Sequence, residues 1–191
     1  MNLILLTFGA IFVNNILLAQ YLGNCPFCGV SKKLGTAFGM GMAVIFVATL
    51  ASIFTWLAYH YVLVPQHLEF LKTLVFILVI AALVQFVEIF LKKQSRTLYD
   101  SLGIYLPLIT TNCAVMGIAL LNIKQGFNFL ETVVFSAASA AGFALAIILF
   151  AGVRERLFVS PVPRSMQGTA IALVTAGVMS LAFLGFAGMV Q

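Results

Sequence analysis

Charged residues are scarce in this chain of 191 residues: Asp, Glu, Lys and Arg together make up 8% of it, while 63% of its residues are hydrophobic. Soluble domains contain about 25% charged residues, so this composition excludes a soluble domain. The mean hydropathy of +1.15 supports the same exclusion. The composition therefore predicts an integral membrane protein.

Long apolar stretches without any charged residue account for most of the chain. They cover residues 3–22, 37–59, 74–87, 104–121, 133–153 and 169–190. Most of them approach the roughly 20 residues that a helix needs to cross a bilayer. A basic segment is missing ahead of the first stretch, so we expect no cleaved signal peptide. These stretches predict an all-α protein with six transmembrane helices in a single transmembrane domain over 1–191.

Basic residues gather in three of the loops between these stretches. Eight of the ten Lys and Arg residues follow the first, third and fifth stretches, whereas Lys72 and Lys124 lie on the opposite side. Short basic loops stay on the cytoplasmic side of a bilayer, so both termini are predicted to face away from the cytoplasm. Because the basic residues are scattered over three loops, they form no patch for nucleic acid.

The chain divides into two halves of three stretches each, about 1–92 and 98–191. A half with an odd number of spans reverses the orientation of the next half, so the two halves would form an inverted repeat. The segment that begins at Gly41 (GMAV) resembles the one that begins at Gly142 (GFAL). We interpret the small residues of these stretches as sites of close helix packing.

Cysteine is rare, with three residues in the chain, yet two of them share a local sequence. The signature N-C-x-x-x-G occurs at 24–29, around Cys25, and again at 112–117, around Cys113, 88 positions later. The third cysteine, Cys28, has no counterpart. An amide, a thiol and a glycine are an unusual group in apolar sequence, and their repetition makes this signature the best indication of function.

The spacing from charged residues gives the depth of these cysteines. Cys113 lies 13 residues after Asp100 and 11 before the next lysine, which at about 1.5 Å per helical residue places it near the membrane centre. Cys25 precedes Lys32 by seven residues, and an extended segment would bring it about 20 Å deep. We expect such a segment, because Pro26 disfavours helical dihedrals at the residue before it. Interrupted helices that face protein are therefore expected at both cysteines.

The paired thiols allow four interpretations. Buried free cysteines can be small hydrophobic residues without chemistry. A thioredoxin-like redox pair of Cys25 and Cys28 would need a soluble strand-to-helix setting and has no counterpart at Cys113. A zinc site would need His or carboxylate ligands, whereas His60 and His67 fall near the outer surface. An iron–sulfur cluster usually takes four thiolates, so two matched cysteines would need two more from a partner subunit.

Several segments carry a resemblance to a known family. They are Gly29-Val30-Ser31-Lys32-Lys33, 102–113 (LGIYLPLITTNC), Arg154-Glu155-Arg156 and 171–177 (IALVTAG). Over essentially its whole length the chain is similar to the RnfA/NqrE family of membrane subunits. The runs TTNCAV at 110–115 and ALLN at 119–122 look more like RnfA, from the Rnf ion-translocating oxidoreductase complex, than like NqrE, from the sodium-pumping NADH:quinone reductase.

The resemblance implies a six-helix subunit of the bacterial inner membrane with periplasmic termini, paired with a homologous inverted subunit, RnfE. It implies a [2Fe-2S] cluster held by two cysteines from each subunit, and Cys25 and Cys113 match those ligand positions. Cys28 does not match, because the family commonly has an apolar residue there. The implied complex, with RnfB, RnfC, RnfD and RnfG, would pass electrons between ferredoxin and NAD and couple the transfer to sodium or proton movement. No catalytic activity is expected from this chain alone.

Other polar residues in the apolar stretches have competing interpretations. Asn24 and Asn112 would either bond to cluster sulfur or tie off the interrupted backbone, and freed amide groups at depth favour the second role. Glu88 is the only acid well within a stretch, and a pair with Lys92, four residues later, is favoured over a place in an ion path.

Three amide side chains lie in the first stretch, and a charged run follows the fifth. Asn14, Asn15 and Gln20 are interpreted as interhelical hydrogen-bonding residues. The run Arg154-Glu155-Arg156 is expected to be a solvated helix end that docks a cytoplasmic subunit. Two other classes of function stay open: a secondary transporter or ion channel whose interrupted helices bind substrate, and a structural anchor with inert thiols.

Overall fold

The computed structural model describes residues 3–31, 34–65, 69–94, 106–159 and 168–187. Every regular element within these ranges is helical, so the predicted all-α fold is confirmed. The helices are α1 (Leu3–Phe8), continued by a π-helical turn (Gly9–Val13), α2 (Asn24–Val30), α3 (Leu34–Ala58), continued by a π-helical turn (Tyr59–Leu63), α4 (Lys72–Gln94), preceded by a 3-10 turn (Glu69–Leu71), α5 (Leu106–Thr110), α6 (Cys113–Lys124), α7 (Phe129–Val159) and α8 (Thr169–Ala187).

Three helices of the described ranges are long and apolar enough to cross a membrane. They are Leu34–Leu63, Lys72–Ile89 and Phe129–Leu157, and each contains one of the six predicted stretches. Two shorter apolar helices, Leu108–Lys124 and Thr169–Gly185, cover most of two more. The first predicted stretch is divided by non-helical residues at 14–23. The fold is that of a membrane protein, while the full six-span repeat stays a prediction.

Helices α3 and α7 form the centre of the fold and contact each other more extensively than any other described pair. A Cβ atom on Gly41 of α3 would lie 2.9 Å from the Cβ atom of Ala144 on α7. On another face of α7, a Cβ atom on Gly142 would lie 3.1 Å from the carbonyl oxygen of Ile11. Both glycines permit close backbone approach, so the predicted packing role of these small residues is confirmed.

The buried face of α7 changes character along the helix. Near its C-terminal half this face carries large apolar side chains, and near its N-terminal half it carries hydroxyl groups: Phe143, Ile147 and Phe150 against Thr132, Ser136 and Ser139. Spacings of three and four residues place all six on one side of a helix. The centre of the fold is therefore apolar at one end and polar at the other.

Helices α4 and α8 leave large apolar side chains exposed. Among them are Leu78 and Phe86 on α4, and Val178 and Leu181 on α8, each at least 62% exposed. Apolar surface of this extent is unfavourable in water, and in a membrane it contacts lipid or other subunits. The exposed surface thus agrees with the membrane location that the composition predicts.

Candidate functional site

The two segments that carry the N-C-x-x-x-G signature are in direct contact. The backbone N–H of Gly23, two residues before Cys25, donates a hydrogen bond to the Cys113 sulfur over 2.9 Å. Because consecutive Cα atoms are about 3.8 Å apart, the Cα atom of Cys25 lies within about 8 Å of that of Gly23. The fold therefore brings both matched cysteines to one place.

Gly23 occupies a position that only glycine fits. Its φ of +95° lies in the left-handed region, where other residues are strained. A Cβ atom there would lie 2.7 Å from Phe143 Cε2 and 3.1 Å from Ala114 Cβ. The missing side chain thus permits the short contact between N–H and sulfur. Sequence reasoning missed this role, for which the only signal is a glycine directly before Asn24.

Cys25 lies in a helix, and the extended segment expected at this residue is wrong. Helix α2 begins at Asn24, so Cys25 is its second residue and Pro26 its third. Proline is tolerated at this position because the first four N–H groups of a helix have no intrahelical partner. The interruption of the first predicted stretch lies earlier, at 14–23.

Asn15 satisfies the backbone of this interruption. Its side-chain oxygen accepts hydrogen bonds from the backbone N–H groups of Leu17 and Leu18, at 3.1 and 3.4 Å. Its side-chain nitrogen donates to the carbonyl oxygen of Gly142 on α7, at 2.9 Å. Asn15 is fully buried, so the interhelical hydrogen bond predicted for it is confirmed. Non-helical backbone at this point is covered by protein, as its burial in a membrane requires.

Helix α8 also holds the interruption in place. The Tyr21 hydroxyl donates to Ser180 Oγ at 2.8 Å, and Ser180 Oγ donates to the carbonyl oxygen of Leu18 at 2.6 Å. Tyr21 adopts a positive φ of 54°, which marks a sharp change of chain direction. These bonds fix the direction in which the chain enters α2.

Asn112 begins the second signature segment by capping α6. Its Oδ1 atom accepts a hydrogen bond from the backbone N–H of Ala114 at 3.0 Å, which is the backbone role expected for this residue. Its Nδ2 group is buried and has no partner among the described residues. Asn24, its counterpart in the signature, is exposed, and Gly23 is the N-cap of α2. The two asparagines are therefore not structurally equivalent, and a role beside a cluster stays a prediction for both.

The two signature glycines each face the segment ahead of the other cysteine. A Cβ atom on Gly117 would lie 2.6 Å from Leu22 Cδ1, and one on Gly29 would lie 3.9 Å from Leu108 Cδ2. Leu22 lies three residues before the first signature cysteine, and Leu108 lies five before the second. The contacts are reciprocal, and the one at Gly117 is much closer.

Both matched thiols are exposed, although adjacent residues are buried. Cys25 and Cys113 are free and exposed, whereas Pro26 and Ala114, which follow them, are buried. A groove of about 340 Å³ that includes Cys113 in its lining extends along α6 as far as Lys124. A group outside this chain therefore has access to the sulfur atoms.

Helix α7 fastens α2 at two points. The rings of Phe27 and Phe150 are stacked, with centroids 3.9 Å apart. One turn later, Arg154 Nη1 donates to Ser31 Oγ at 2.8 Å, where the fully buried Ser31 ends α2. The expectation of a solvated helix end is therefore wrong for Arg154, because a guanidinium at the C-terminus of α2 is favoured by the helix dipole. The adjacent Glu155 and Arg156 are exposed.

Other predicted polar residues lie away from this contact. Glu88 is half-buried in α4, four residues before the exposed Lys92, and its place in an ion path stays a prediction. Asn14 and Gln20 are exposed, and the structure assigns neither of them an interhelical hydrogen bond.

Part of the sequence interpretation falls on residues that the structure does not describe. His67 lies outside the described residues, as do Lys32 and Asp100, from which the depth of the cysteines was estimated. The backbone of Cys28 belongs to α2, and its side chain lies outside the described part. His60 is exposed and stacks on Trp56, with ring centroids 4.8 Å apart.

Comparison with known proteins gives the family of this arrangement. A family model described as "Rnf-Nqr subunit, membrane protein" matches residues 3–190. The chain belongs to the Rnf-Nqr family. The family resemblance found in the sequence is therefore confirmed.

Individual relatives of this Rnf-Nqr chain agree with its greater likeness to RnfA. It is 58% identical over 189 residues to the A-type component of the ion-translocating oxidoreductase complex of Syntrophotalea carbinolica, covering 99% of this chain and 98% of the relative. It is 57% identical, with the same coverage, to the A-type component of the Na(+)-translocating ferredoxin:NAD(+) oxidoreductase complex of Acetobacterium woodii. The corresponding protein of Yersinia pseudotuberculosis is 56% identical over 98% of this chain and 97% of its own length.

Proposed function

We propose that this chain is a membrane-embedded electron-transfer subunit of an ion-translocating ferredoxin:NAD oxidoreductase complex. In this proposal Cys25 and Cys113 are two of the four ligands of a [2Fe-2S] cluster that is shared with a homologous inverted subunit, RnfE. The observation that carries the proposal is the hydrogen bond from Gly23 N–H to Cys113 sulfur, because it holds the two signature segments together. The names of the relatives from Syntrophotalea carbinolica and Acetobacterium woodii support the same kind of complex.

The donor set of the chain fits half of such a cluster. A [2Fe-2S] cluster usually takes four cysteine thiolates, and two exposed thiols are available here. Within the described residues no group of three or more His, Cys, Asp or Glu side chains is placed to hold a metal ion. The remaining ligands would therefore come from a partner that covers the exposed thiols.

The local structure suits bound sulfur. A cluster there would supply one-electron transfer, and hydrogen bonds to its sulfur atoms are one of the terms that set its reduction potential. Gly23 supplies such a bond to Cys113. Cys113 is also the first residue of α6, where the unpaired N–H groups of a helix favour negative charge.

The position along the chain supports a carrier inside the membrane. The hydrocarbon core is about 30 Å thick, so electrons that cross it need a carrier near its centre. The spacing of Cys113 from the flanking charged residues gives that depth. We propose periplasmic termini in a bacterial inner membrane, with RnfB, RnfC, RnfD and RnfG as further subunits of the complex.

The order of helices supports an inverted repeat. Each half consists of an interrupted helix followed by two long ones: α1 and α2, then α3 and α4, against α5 and α6, then α7 and α8. The reciprocal contacts of Gly29 and Gly117 are those that a pseudo-two-fold axis between the signature segments would produce. The halves would meet at about 92–98.

Electron paramagnetic resonance of the purified complex tests the proposal. The substitutions Cys25→Ser and Cys113→Ser should each abolish the [2Fe-2S] signal and the electron transfer that depends on it. Cys28→Ser is the matched control, since it removes a thiol from the same helix, and it should keep both. An unchanged signal in both ligand variants would show that the cysteines do not bind a cluster.

Two further measurements separate the other function classes. Normal electron transfer after loss of the signal would favour a structural anchor with inert thiols. Ion transport by the isolated chain in liposomes, without any redox partner, would favour a transporter or channel. Activity with quinone in place of ferredoxin would indicate an NqrE-type subunit.

A further inference from the structure

A second polar site lies in the half of the fold where the buried face of α7 carries hydroxyl groups. Asn122 Nδ2, on α6, donates to Ser136 Oγ on α7 at 2.9 Å. Ser136 Oγ in turn donates to the carbonyl oxygen of Thr132 at 2.6 Å. Thr132 and Ser139 lie four residues before and three residues after Ser136, so all three share one side of α7. These contacts place four polar side chains in one region between α6 and α7.

Ser52 of α3 belongs to the same region. Two contacts give the register between the antiparallel helices α3 and α7: Gly41 lies against Ala144, and Trp56 is in edge contact with Phe129. In this register Ser52 is level with residue 133. It follows Gly41 by 11 residues, which is three helical turns, and so faces α7. We call Ser52, Asn122, Thr132, Ser136 and Ser139 the hydroxyl cluster.

Burial leaves the oxygen atoms of this cluster short of partners. All five residues are between 0 and 3% exposed. The side-chain oxygens of Ser52, Asn122, Thr132 and Ser139 form no hydrogen bond within the described part of the chain. An unpaired buried polar group costs about 1–3 kcal/mol, so four of them in one region are unfavourable unless they contact a ligand.

Nearby hydroxyl groups behave differently. Thr49 and Thr55 on α3 donate to carbonyl oxygens one turn earlier, at 2.7 Å in both cases. Such bonds are the usual way in which hydroxyl groups are satisfied within apolar helices. The oxygens of Thr132, Ser139 and Ser52 are not used in this way, and the amide oxygen of Asn122 can only accept.

We propose that the hydroxyl cluster binds a sodium ion. Hydroxyl and amide oxygens are hard, neutral ligands of the kind that bind hard cations. The cluster contains no ionisable side chain, so it cannot offset the charge of a divalent ion and has no group to carry a proton. A monovalent cation is therefore the ligand that its chemistry fits. That this ion is the one moved by electron transfer rests on the proposed function, whereas its binding does not.

The position of the cluster suits an ion on its way through the membrane. Asn122 lies two residues before Lys124, at the end of α6, while Cys113 lies at the other end of the same helix. The cluster is thus separated from the signature cysteines by about 13 Å along α6. A change of charge at Cys113 would act on the ion across this distance through a medium of low dielectric constant.

The test uses the intact purified complex and two substitutions that each remove one unpaired oxygen, Thr132→Val and Ser139→Ala. Both keep the size of the side chain nearly constant, so we expect the complex to assemble. The sodium concentration that gives half-maximal electron transfer, at constant ionic strength, should rise about ten- to a hundredfold, as for loss of a group that supports a metal site. Sodium NMR should show correspondingly weaker binding to the oxidised complex, without any electron transfer. The [2Fe-2S] signal should not change.

The matched control is Thr49→Val, which removes a hydroxyl group from α3 outside the cluster and should leave the sodium dependence unchanged. An unchanged sodium dependence in both cluster variants would overturn the proposal and indicate that the cluster holds only water. A complex without any sodium dependence or sodium binding would overturn it as well. Failure of the proposed function is distinguishable, because it would appear as a cluster signal that is independent of Cys25 and Cys113.

Discussion

The two signature segments reach their cysteines in different ways. In the first segment ten non-helical residues, 14–23, separate the π-helical turn after α1 from α2. In the second segment only Thr111 and Asn112 separate α5 from α6. In both, the cysteine lies in the first turn of the helix that follows the interruption. The shared sequence therefore corresponds to a shared helix start, and the shape of the interruption is set by other residues.

The two interruptions also contribute different groups to the site. The longer one folds over α6, so that Leu22 contacts Gly117 and Gly23 donates to the Cys113 sulfur. The shorter one positions that sulfur through the cap at Asn112. One segment thus supplies a donor to the other, and the comparison predicts that matching substitutions in the two segments have unequal effects.

The largest effect is expected at Gly23, where the longer segment meets the shorter one. Gly23→Ala would place a side chain in the left-handed region, at a cost of about 1–2 kcal/mol, and against Phe143 Cε2, at a further cost of about 1–3 kcal/mol. We expect a large fall in the heating temperature that the detergent-solubilised complex withstands, measured by fluorescence-detected size-exclusion chromatography, together with a changed [2Fe-2S] spectrum.

Gly126→Ala is the control for the conformational part of this effect. Gly126 also has a positive φ, of 64°, and a Cβ atom there would meet nothing within 4 Å. This variant should lose about 1 kcal/mol and keep the spectrum. Equal losses at the two glycines would contradict the close contact of Gly23 with α6 and α7.

The next largest effect is expected at the asparagines. Asn15→Ala removes the partner of two backbone N–H groups and of the Gly142 carbonyl in a buried position, so about 1–3 kcal/mol of stability should be lost. Asn112→Ala removes a helix cap, at about 0.5–2 kcal/mol. Asn24→Ala, at an exposed position, should change stability by less than about 0.5 kcal/mol.

Chemical unfolding of the three variants in mixed micelles, followed by the fluorescence of the single Trp, measures this order. If Asn24→Ala were as destabilising as Asn112→Ala, the two signature asparagines would be equivalent after all. In that case the structural contrast between the segments would be wrong.

The smallest effect, and one of opposite sign, is expected at the two signature glycines. Gly117→Ala would press on Leu22 Cδ1 at 2.6 Å, with a net loss of up to about 2 kcal/mol after the gain in helix propensity. Gly29→Ala meets only Leu108 at 3.9 Å and should gain about 0.5–1 kcal/mol from reduced chain entropy. The same unfolding measurement decides the sign, and equal effects would show that the two contacts are symmetric.

Much of the fold could be predicted from local sequence. The apolar stretches predicted the helices, and the small residues at Gly41 and Gly142 predicted close packing, because both depend on composition within a few turns. The buried hydrogen bonds of Asn15 could be predicted in kind, since an amide in apolar sequence needs partners, whereas its partner Gly142 lies 127 positions away.

Local rules failed where a neighbouring helix changes the balance. The restriction that Pro26 places on Cys25 favours an extended chain, but α2 is held at one end by Phe150 and at the other by Arg154. These contacts offset a local preference that is small once proline lies within the first helical turn. The run Arg154-Glu155-Arg156 likewise reads as solvated until Ser31 is placed beside it.

The sequence by itself determined the membrane class, the family and the pair of signature cysteines, because hydropathy and motif identity are properties of the chain alone. Only the tertiary structure decided that Gly23 donates to Cys113, that both thiols face outward, and that the hydroxyl groups of α3, α6 and α7 converge. Each of these depends on residues far apart in sequence, whose approach is set by backbone contact at glycine and alanine rather than by any local pattern.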